Sequence, residues 1–158
     1  MLKVGEAAPG FEAQDQDGRL VRLSDYRGKW LVLYFYPRDM TLGCTKEAIG
    51  FRDVKKRLDS LNADVLGIST DAEAAHRHFT AKCSLNFRLL VDPDRKVCRA
   101  YGALGPITGF LDTASRLTYV IDPQTKVALT YRFVNPLNHA MKVVNDIEHA
   151  QADRKSAH

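Results

Sequence analysis

The chain has 158 residues, of which 45% are hydrophobic, and its formal charge is +4 at pH 7. This composition predicts one globular domain, residues 1–158, with a full core. The positive charge is spread along the chain instead of forming a basic stripe with stacking aromatics, which argues against nucleic-acid binding. The first residues lack an apolar segment of signal-peptide length and no apolar run could cross a bilayer, so we expect a cytoplasmic protein with no membrane partner.

Turn chemistry and hydrophobic periodicity predict alternating strands and helices along the first hundred residues. Residues 15–18 have the composition of a hairpin turn, and the apolar run 30–36 is typical of a buried strand. The next predicted elements are a helix over about 43–61, a strand at 65–69, a helix from a cap at Thr70 or Asp71 to about Lys82, a strand at 89–91 and a short helix over 94–102.

The last third of the chain begins with a segment rich in glycine, proline and small residues, 102–115, which predicts a loop. Strands are expected at 117–121 and 127–133, followed by an amphipathic helix over 136–150 and a frayed polar tail over 151–158. Strands alternating with helices before a terminal hairpin and helix predict an α/β fold of the thioredoxin-like type. A central mixed sheet would be flanked by helices and extended by a short N-terminal hairpin.

Cys44 follows the predicted strand 30–36 and lies at the start of the predicted helix 43–61. Unpaired backbone N–H groups and the helix dipole at such a position favour a thiolate, which is the nucleophilic form of cysteine. The other two cysteines, Cys83 and Cys98, are too irregularly spaced for a disulfide scaffold or a metal site. We therefore expect reduced thiols available for redox catalysis, with no metal and no organic cofactor.

The residues around this cysteine resemble a known family. The segment 35–53, which contains FYP, TLGCTKEA and GFRD, is similar to the active-site segment of peroxiredoxins, and most similar to their bacterioferritin-comigratory, or PrxQ, group. The resemblance extends over nearly the whole chain and includes 4–11 and 115–122. It implies a thiol-dependent peroxidase in which Cys44 attacks hydrogen peroxide or an alkyl hydroperoxide and becomes a sulfenic acid.

The resemblance also implies which groups would surround the reacting atoms. Arg116 would be the guanidinium that holds the peroxide and stabilises charge on its leaving oxygen. The Thr41 hydroxyl would bridge thiolate and peroxide, and the backbone N–H groups of Gly43 and Cys44 would complete the cradle. For Arg116 the alternative is a surface cation beside a strand, and for Thr41 a hydroxyl that caps the helix start.

Two further residues of the motif have supporting roles. Pro37 would shield the sulfur from water; the alternative is that it only terminates the strand. Glu47 would orient Arg116 or Arg52, or act as an acidic partner of the helix dipole in the first turn. The histidines offer no cysteine–histidine hydrolase site, and we expect His76 to face solvent on the middle helix.

This chain departs from the family pattern in the active-site loop. Leu42 replaces the usual proline, and Met40 stands where an acidic residue is common. These changes predict a pocket suited to bulkier, more apolar hydroperoxides. Ile49 occupies the position of the resolving cysteine that many members carry five residues after Cys44, so a disulfide within one helix is excluded.

Cys83 is the candidate resolving thiol, because other members place this residue on the next helix. Its position four residues after Phe79 also suits a buried packing residue. Cys98 is expected to be structural. If Cys83 resolves, thioredoxin or a related dithiol is the implied reductant; if it does not, an external thiol such as glutathione, or glutaredoxin, is implied.

The alternative functions are a disulfide reductase and a redox sensor or holdase. A disulfide reductase would need a second cysteine three residues after Cys44, where Glu47 stands. A redox sensor or holdase would show slow peroxide turnover and strong suppression of client aggregation. The sequence leaves open whether the protein is a monomer or a homodimer.

Overall fold

The computed structural model describes residues 1–104, 114–132 and 134–156. The strands of this part are β1 (Glu12–Asp15), β2 (Leu20–Arg22), β3 (Trp30–Phe35), β4 (Ala63–Ser69), β5 (Arg88–Val91), β6 (Leu117–Ile121) and β7 (Val127–Tyr131). The helices are α1 (Leu42–Ser60), α2 (Glu73–Cys83), α3 (Lys96–Ala100) and α4 (His139–Ser156), and a short 3-10 turn spans Leu23–Tyr26.

The strands form one mixed sheet in the order β2-β1-β5-β4-β3-β6-β7. β3 pairs in parallel with β4, and β4 in parallel with β5, whereas the remaining pairs are antiparallel. All six residues of β3 are buried, as expected for a continuous apolar run covered on both faces of a sheet. The predicted thioredoxin-like sheet with an N-terminal hairpin, β1–β2, is therefore confirmed.

The two faces of β3 belong to two separate cores. Trp30, Val32 and Tyr34 point to the core that contains α1, α2 and α4, because successive side chains of a strand alternate between faces. The intervening residues of β3 point to a second core, which also contains Cys98. Cys44 lies in the first core. The sheet thus separates Cys44 from Cys98.

The predicted frayed tail is wrong for residues 151–156, because α4 continues through Ser156. Its last turns are fixed by side chains that reach the body of the protein. Gln151 donates a hydrogen bond of 2.6 Å to the carbonyl of Leu61. Arg154 donates one of 2.9 Å to Asp122 and stacks over the Trp30 ring. At its other end the helix begins at His139, three residues later than predicted.

The start of α2 also differs from the prediction, because neither Thr70 nor Asp71 caps it and Ala72 is the N-cap residue. The Asp71 carboxylate instead accepts hydrogen bonds from the Ser69 hydroxyl and from the backbone N–H of Asp39. Most of the predicted loop 102–115, the end of the predicted strand at Phe133, and residues 157–158 lie outside the described residues. Within the described ranges, no helix is long and apolar enough to span a membrane.

Candidate active site

Cys44 is the third residue of α1, and its side chain is 1% exposed. The central strand β3 delivers the chain to this point, and the active-site loop, residues 37–41, connects it to the helix. The apolar stripe of α1 packs onto the sheet through Ala48, Phe51 and further buried residues, which turns the first-turn cysteine inward. The candidate nucleophile is therefore at a helix start, as predicted, but shielded from bulk water.

Arg116 reaches the cysteine from the neighbouring strand. It immediately precedes β6, and the antiparallel register pairs Leu117 with Phe35, so the residue before β6 lies beside the end of β3. Its Nη2 lies 3.4 Å from Cys44 Sγ. Its Nη1 donates a hydrogen bond of 2.7 Å to Oε1 of Glu47. The guanidinium thus contacts two side chains of α1 at once.

Glu47 is fully buried at the side chain and pairs with Arg116, not with Arg52. Burial raises its pKa to about 7, and the charge and hydrogen bond of Arg116 oppose that rise. Its second oxygen, Oε2, has no hydrogen-bond partner among the described residues. Arg52 instead pairs with Asp53 and donates to the carbonyl of Cys83.

The other predicted residues lie along the loop and the helix start. The Thr41 hydroxyl is exposed and donates to the carbonyl of Arg38 at 3.1 Å, and it makes no capping hydrogen bond to α1. Pro37 is partly buried at the beginning of the loop. Gly43 lies against Arg116, since a Cβ atom built there would be 3.2 Å from Nη2. The structure therefore brings Cys44, Arg116 and Gly43 together.

The remaining cysteines are both free and buried. Cys83 is the last residue of α2 and shares a core with Cys44. Cys98 is fully buried in the other core, where burial and the nearby Asp92 carboxylate raise its pKa strongly. Of the two, only Cys83 lies on the same side of the sheet as Cys44.

His76 does not face solvent, and that prediction is wrong. Its ring is fully buried, with Nδ1 2.6 Å from Oδ2 of Asp39 and Nε2 2.8 Å from the carbonyl oxygen of Leu90. The sequence contained a signal for this burial, because His76 lies three residues before Phe79 and seven before Cys83, on one helical face. Because an isolated histidine on a partly polar helix has no specified partner, the sequence could not reveal Asp39.

Within the described ranges, one group of side chains has metal-ligand geometry, and His76 belongs to it. Ligand atoms of Asp39, Asp71 and His76 lie within 4.8 Å of one another. Both ring nitrogens of His76 already have protein partners, and the Asp71 carboxylate accepts two hydrogen bonds. The arrangement is that of a satisfied hydrogen-bond network.

His139 is a second buried histidine close to the site. Its Nε2 lies 2.8 Å from the hydroxyl of Thr118, two residues after Arg116. Burial lowers its pKa to about 4, and the positive charge of Arg116 adds to that effect. His139 is therefore neutral near pH 7. It belongs to the packing behind the site, against the rings of Phe51 and Tyr131.

A buried cysteine at a helix start, with a guanidinium against its sulfur and a thioredoxin-like sheet beneath, defines a thiol-based oxidoreductase. Comparison with known proteins narrows this class. The AhpC/TSA family matches residues 4–130. Peroxiredoxin Bcp of Escherichia coli K12 is 40% identical over 154 residues, covering 94% of this chain and 98% of the relative.

Solved structures agree with this match. A PrxQ variant of Xylella fastidiosa superposes with a TM-score of 0.90 at 29% identity, covering 96% of this chain and 98% of the other. The bacterioferritin comigratory protein of Xanthomonas campestris gives a TM-score of 0.83 at 29% identity, with 89% and 91% covered. The chain belongs to the AhpC/TSA family. Within that family it is a peroxiredoxin of the Bcp or PrxQ type, a thiol-dependent peroxidase.

Proposed function

We propose that Cys44 is the peroxidatic nucleophile of this enzyme and that Arg116 is its main electrostatic partner. The observation that carries the proposal is the 3.4 Å contact between Arg116 Nη2 and Cys44 Sγ, at the first turn of α1. The thiolate would attack one peroxide oxygen and break the O–O bond. The sulfur, oxidised by two electrons, becomes a sulfenic acid, and the leaving oxygen takes a proton to become water or an alcohol.

The guanidinium suits this step because the leaving oxygen becomes negative as the O–O bond breaks. A fixed donor in a water-poor site stabilises such charge without reorganising, and losing one donor of this kind costs about 10²- to 10³-fold in rate. Glu47 holds Arg116 by a 2.7 Å hydrogen bond, which supports a positioning role for it. We include the Gly43 and Cys44 N–H groups, the Thr41 hydroxyl and the Pro37 ring as the rest of the peroxide pocket.

We propose that four exposed apolar side chains form a rim around the entrance to this pocket. It consists of Met40, Leu42, Leu137 and Met141, which are 42%, 74%, 72% and 48% exposed and make up four of the seven exposed large hydrophobic side chains among the described residues. Met40 and Leu42 lie at the start of α1, and Leu137 and Met141 lie at the start of α4. The two helix starts come close together where Gly43 faces Pro136. The related protein from Xanthomonas campestris has been studied for its alkyl peroxide reduction. We propose alkyl hydroperoxides, alongside hydrogen peroxide, as substrates.

For the second half of the reaction we propose Cys83 as the resolving thiol. It shares a core with Cys44, whereas Cys98 lies across the sheet. The Cys83 thiol would attack the sulfenic sulfur, release water and form a disulfide. Thioredoxin would then reduce it; if Cys83 does not react, glutathione or glutaredoxin would reduce the sulfenic acid directly. We further propose that the chain works as a single domain in the cytoplasm, as a monomer or a homodimer.

Peptide mapping by mass spectrometry after one equivalent of hydrogen peroxide tests the proposal. A Cys44–Cys83 disulfide is the expected product, and a trapped sulfenic acid on Cys44 with Cys83 and Cys98 still free would indicate a one-cysteine enzyme. The control is Cys44→Ser, which should leave the peroxide unconsumed. An unreacted Cys44 in the wild type would contradict the proposed role, and slow turnover with strong suppression of client aggregation would favour a holdase.

A further inference from the structure

We propose that Asp39 and His76 are positioning residues for the peroxide reaction. The pair holds the active-site loop, residues 37–41, against α2 and β5, so that the first turn of α1 stays closed over Cys44. Neither residue touches the sulfur in the structure, and each acts through the loop. The inference rests on the proposed role of Cys44 and adds to it the part of the molecule that keeps the nucleophile in place.

The side chains of the pair leave no polar atom without a partner. The carbonyl of Leu90 can only accept a hydrogen bond, so Nε2 of His76, 2.8 Å away, carries a proton. Nδ1 of His76 lies 2.6 Å from Oδ2 of Asp39, within hydrogen-bond distance. The other carboxylate oxygen of Asp39 accepts a 2.6 Å hydrogen bond from the Tyr36 hydroxyl. One loop residue is thus tied to Tyr36, which directly follows β3, to α2 and, through His76, to β5.

The backbone of Asp39 is fixed as well. Its N–H donates a 2.8 Å hydrogen bond to Oδ2 of Asp71, and the Ser69 hydroxyl donates to the same oxygen at 2.6 Å. The next residue, Met40, has a φ of +65°, a left-handed backbone conformation that residues other than glycine rarely adopt. Such a conformation persists only where the surrounding structure imposes it. The bonds to Asp39 supply that constraint directly before the strained residue.

Stability alone does not explain a buried polar network of this kind. Replacing a buried polar or charged pair by apolar residues of similar volume is often neutral or stabilising, because the polar pair loses its hydration. The pair instead makes one conformation of the loop more stable than the others. The loop leads from Asp39 to Cys44, five residues later, and Cys44 is only 1% exposed. Releasing the loop should therefore uncover Cys44 and disperse the groups that bind the peroxide.

Three variants test the proposal. Tyr36→Phe removes one donor, His76→Leu removes the tie to α2 and β5, and the double variant D39A/H76L removes both members of the pair, so that neither is left buried without the other. The matched control is Gln16→Leu. Gln16 is buried like the pair and makes two hydrogen bonds near β5, to the Phe87 carbonyl and from the Leu89 N–H, without contacting the loop.

Two rates are measured for each protein. The first is the rate constant of Cys44 oxidation by hydrogen peroxide, and the second is alkylation of Cys44 and Cys98 by iodoacetamide, resolved by mass spectrometry. We expect His76→Leu and D39A/H76L to slow peroxide oxidation about tenfold or more, since the donor geometry is lost. We expect the same variants to speed alkylation of Cys44 but not of Cys98. Tyr36→Phe should act in the same direction and more weakly. Gln16→Leu should change neither the oxidation rate of Cys44 nor the ratio of Cys44 to Cys98 alkylation.

Unchanged peroxide oxidation together with an unchanged Cys44 to Cys98 alkylation ratio would overturn the proposal. So would equal acceleration at both cysteines in all three variants, because Cys98 lies in the other core and reports on loss of the whole fold. The two proposals fail in different ways. If wild-type Cys44 does not react with peroxide, the proposed catalytic role fails, whereas the alkylation ratio still decides whether the pair holds the loop.

Discussion

Cys44 and Glu47 stand three residues apart on one face of α1, and a single guanidinium, that of Arg116, contacts both of them. Residues at this spacing lie side by side on a helix surface. The helix therefore presents a carboxyl group and a sulfur to the same guanidinium. This arrangement also keeps Arg116 in place although it lies just outside β6.

Replacing Arg116 should affect catalysis much more than folding. We expect Arg116→Gln to lower the rate of Cys44 oxidation by about 10²-fold or more, because a fixed charged donor is lost from the site. Arg116→Lys should lie between this variant and the wild type, since lysine keeps the charge but not the two-sided geometry. Stopped-flow oxidation by hydrogen peroxide measures the effect. The exposed pair of Arg57 with Glu148 supplies the control Arg57→Gln, and an equal loss there would contradict the assignment.

Glu47 and His139 should give opposite pH dependences of stability. The pKa of Glu47 is raised to about 7, so the folded state holds this proton more tightly than the unfolded chain, and the contribution of Glu47 to stability falls as pH rises from about 4.5 to 7. The pKa of His139 is lowered to about 4, so its contribution rises with pH from about 4 to 6.5. Each slope approaches about 1.4 kcal/mol per pH unit.

The two slopes have opposite signs and cancel between about pH 4.5 and 6.5. Replacing one of the two residues leaves the slope of the other. We expect Glu47→Gln to become more stable as pH rises from about 4.5 to 6.5, and His139→Gln to become less stable over the same window. Urea unfolding at three pH values in this window measures both. The exposed His149 supplies the control His149→Gln. A curve for Glu47→Gln that runs parallel to the wild-type curve would show that Glu47 does not titrate as inferred.

Gly43→Ala should separate stability from activity. Alanine favours a helix by about 1 kcal/mol over glycine, so the free energy of unfolding should hold or rise. The new Cβ would lie 3.2 Å from Arg116 Nη2, which must move by a few tenths of an ångström. We expect oxidation of Cys44 to slow by about threefold to tenfold, less than on losing the donor. Gly10→Ala, where no atom lies within 4 Å of the new Cβ, is the control, and equal rates in both variants would contradict the prediction.

Removing the proposed resolving thiol should stop the cycle after its first step. In Cys83→Ser we expect the initial oxidation of Cys44 to keep its rate, while the sulfenic acid persists and turnover with thioredoxin is lost. Cys98→Ser should cycle normally, because the sheet separates Cys98 from Cys44. Sulfenic-acid trapping and a coupled thioredoxin assay measure the two steps. Undiminished thioredoxin turnover in Cys83→Ser would show that another thiol resolves Cys44.

The apolar rim should set substrate preference. Leu42→Ser removes a 74% exposed side chain from the rim, and we expect the rate with cumene hydroperoxide to fall about threefold to tenfold relative to hydrogen peroxide, because apolar contact with the larger substrate is lost. Leu20→Ser, at a 49% exposed leucine of β2, is the control. An unchanged ratio of the two rates would show that the rim does not contact substrate.

The order of strands and helices and the position of Cys44 were predictable because their signals are local. An apolar run of strand length followed by residues with helical periodicity specifies a strand and then a helix, whatever the rest of the chain does. The start of the helix in turn places Cys44 in the first turn of α1. The motif around Cys44 added Arg116 and Glu47 as partners, but left open whether Glu47 would face Arg116 or Arg52.

Tertiary structure decided the contacts between residues far apart in the chain. It turned His76 inward onto Asp39, 37 residues away, because the loop after β3 passes over the buried face of α2. It extended α4 through Ser156, since Gln151 and Arg154 find partners on the body of the protein. It also assigned Cys83 and Cys98 to opposite faces of the sheet. Periodicity shows which face of an element is apolar, but the partner of a polar side chain depends on how the elements pack.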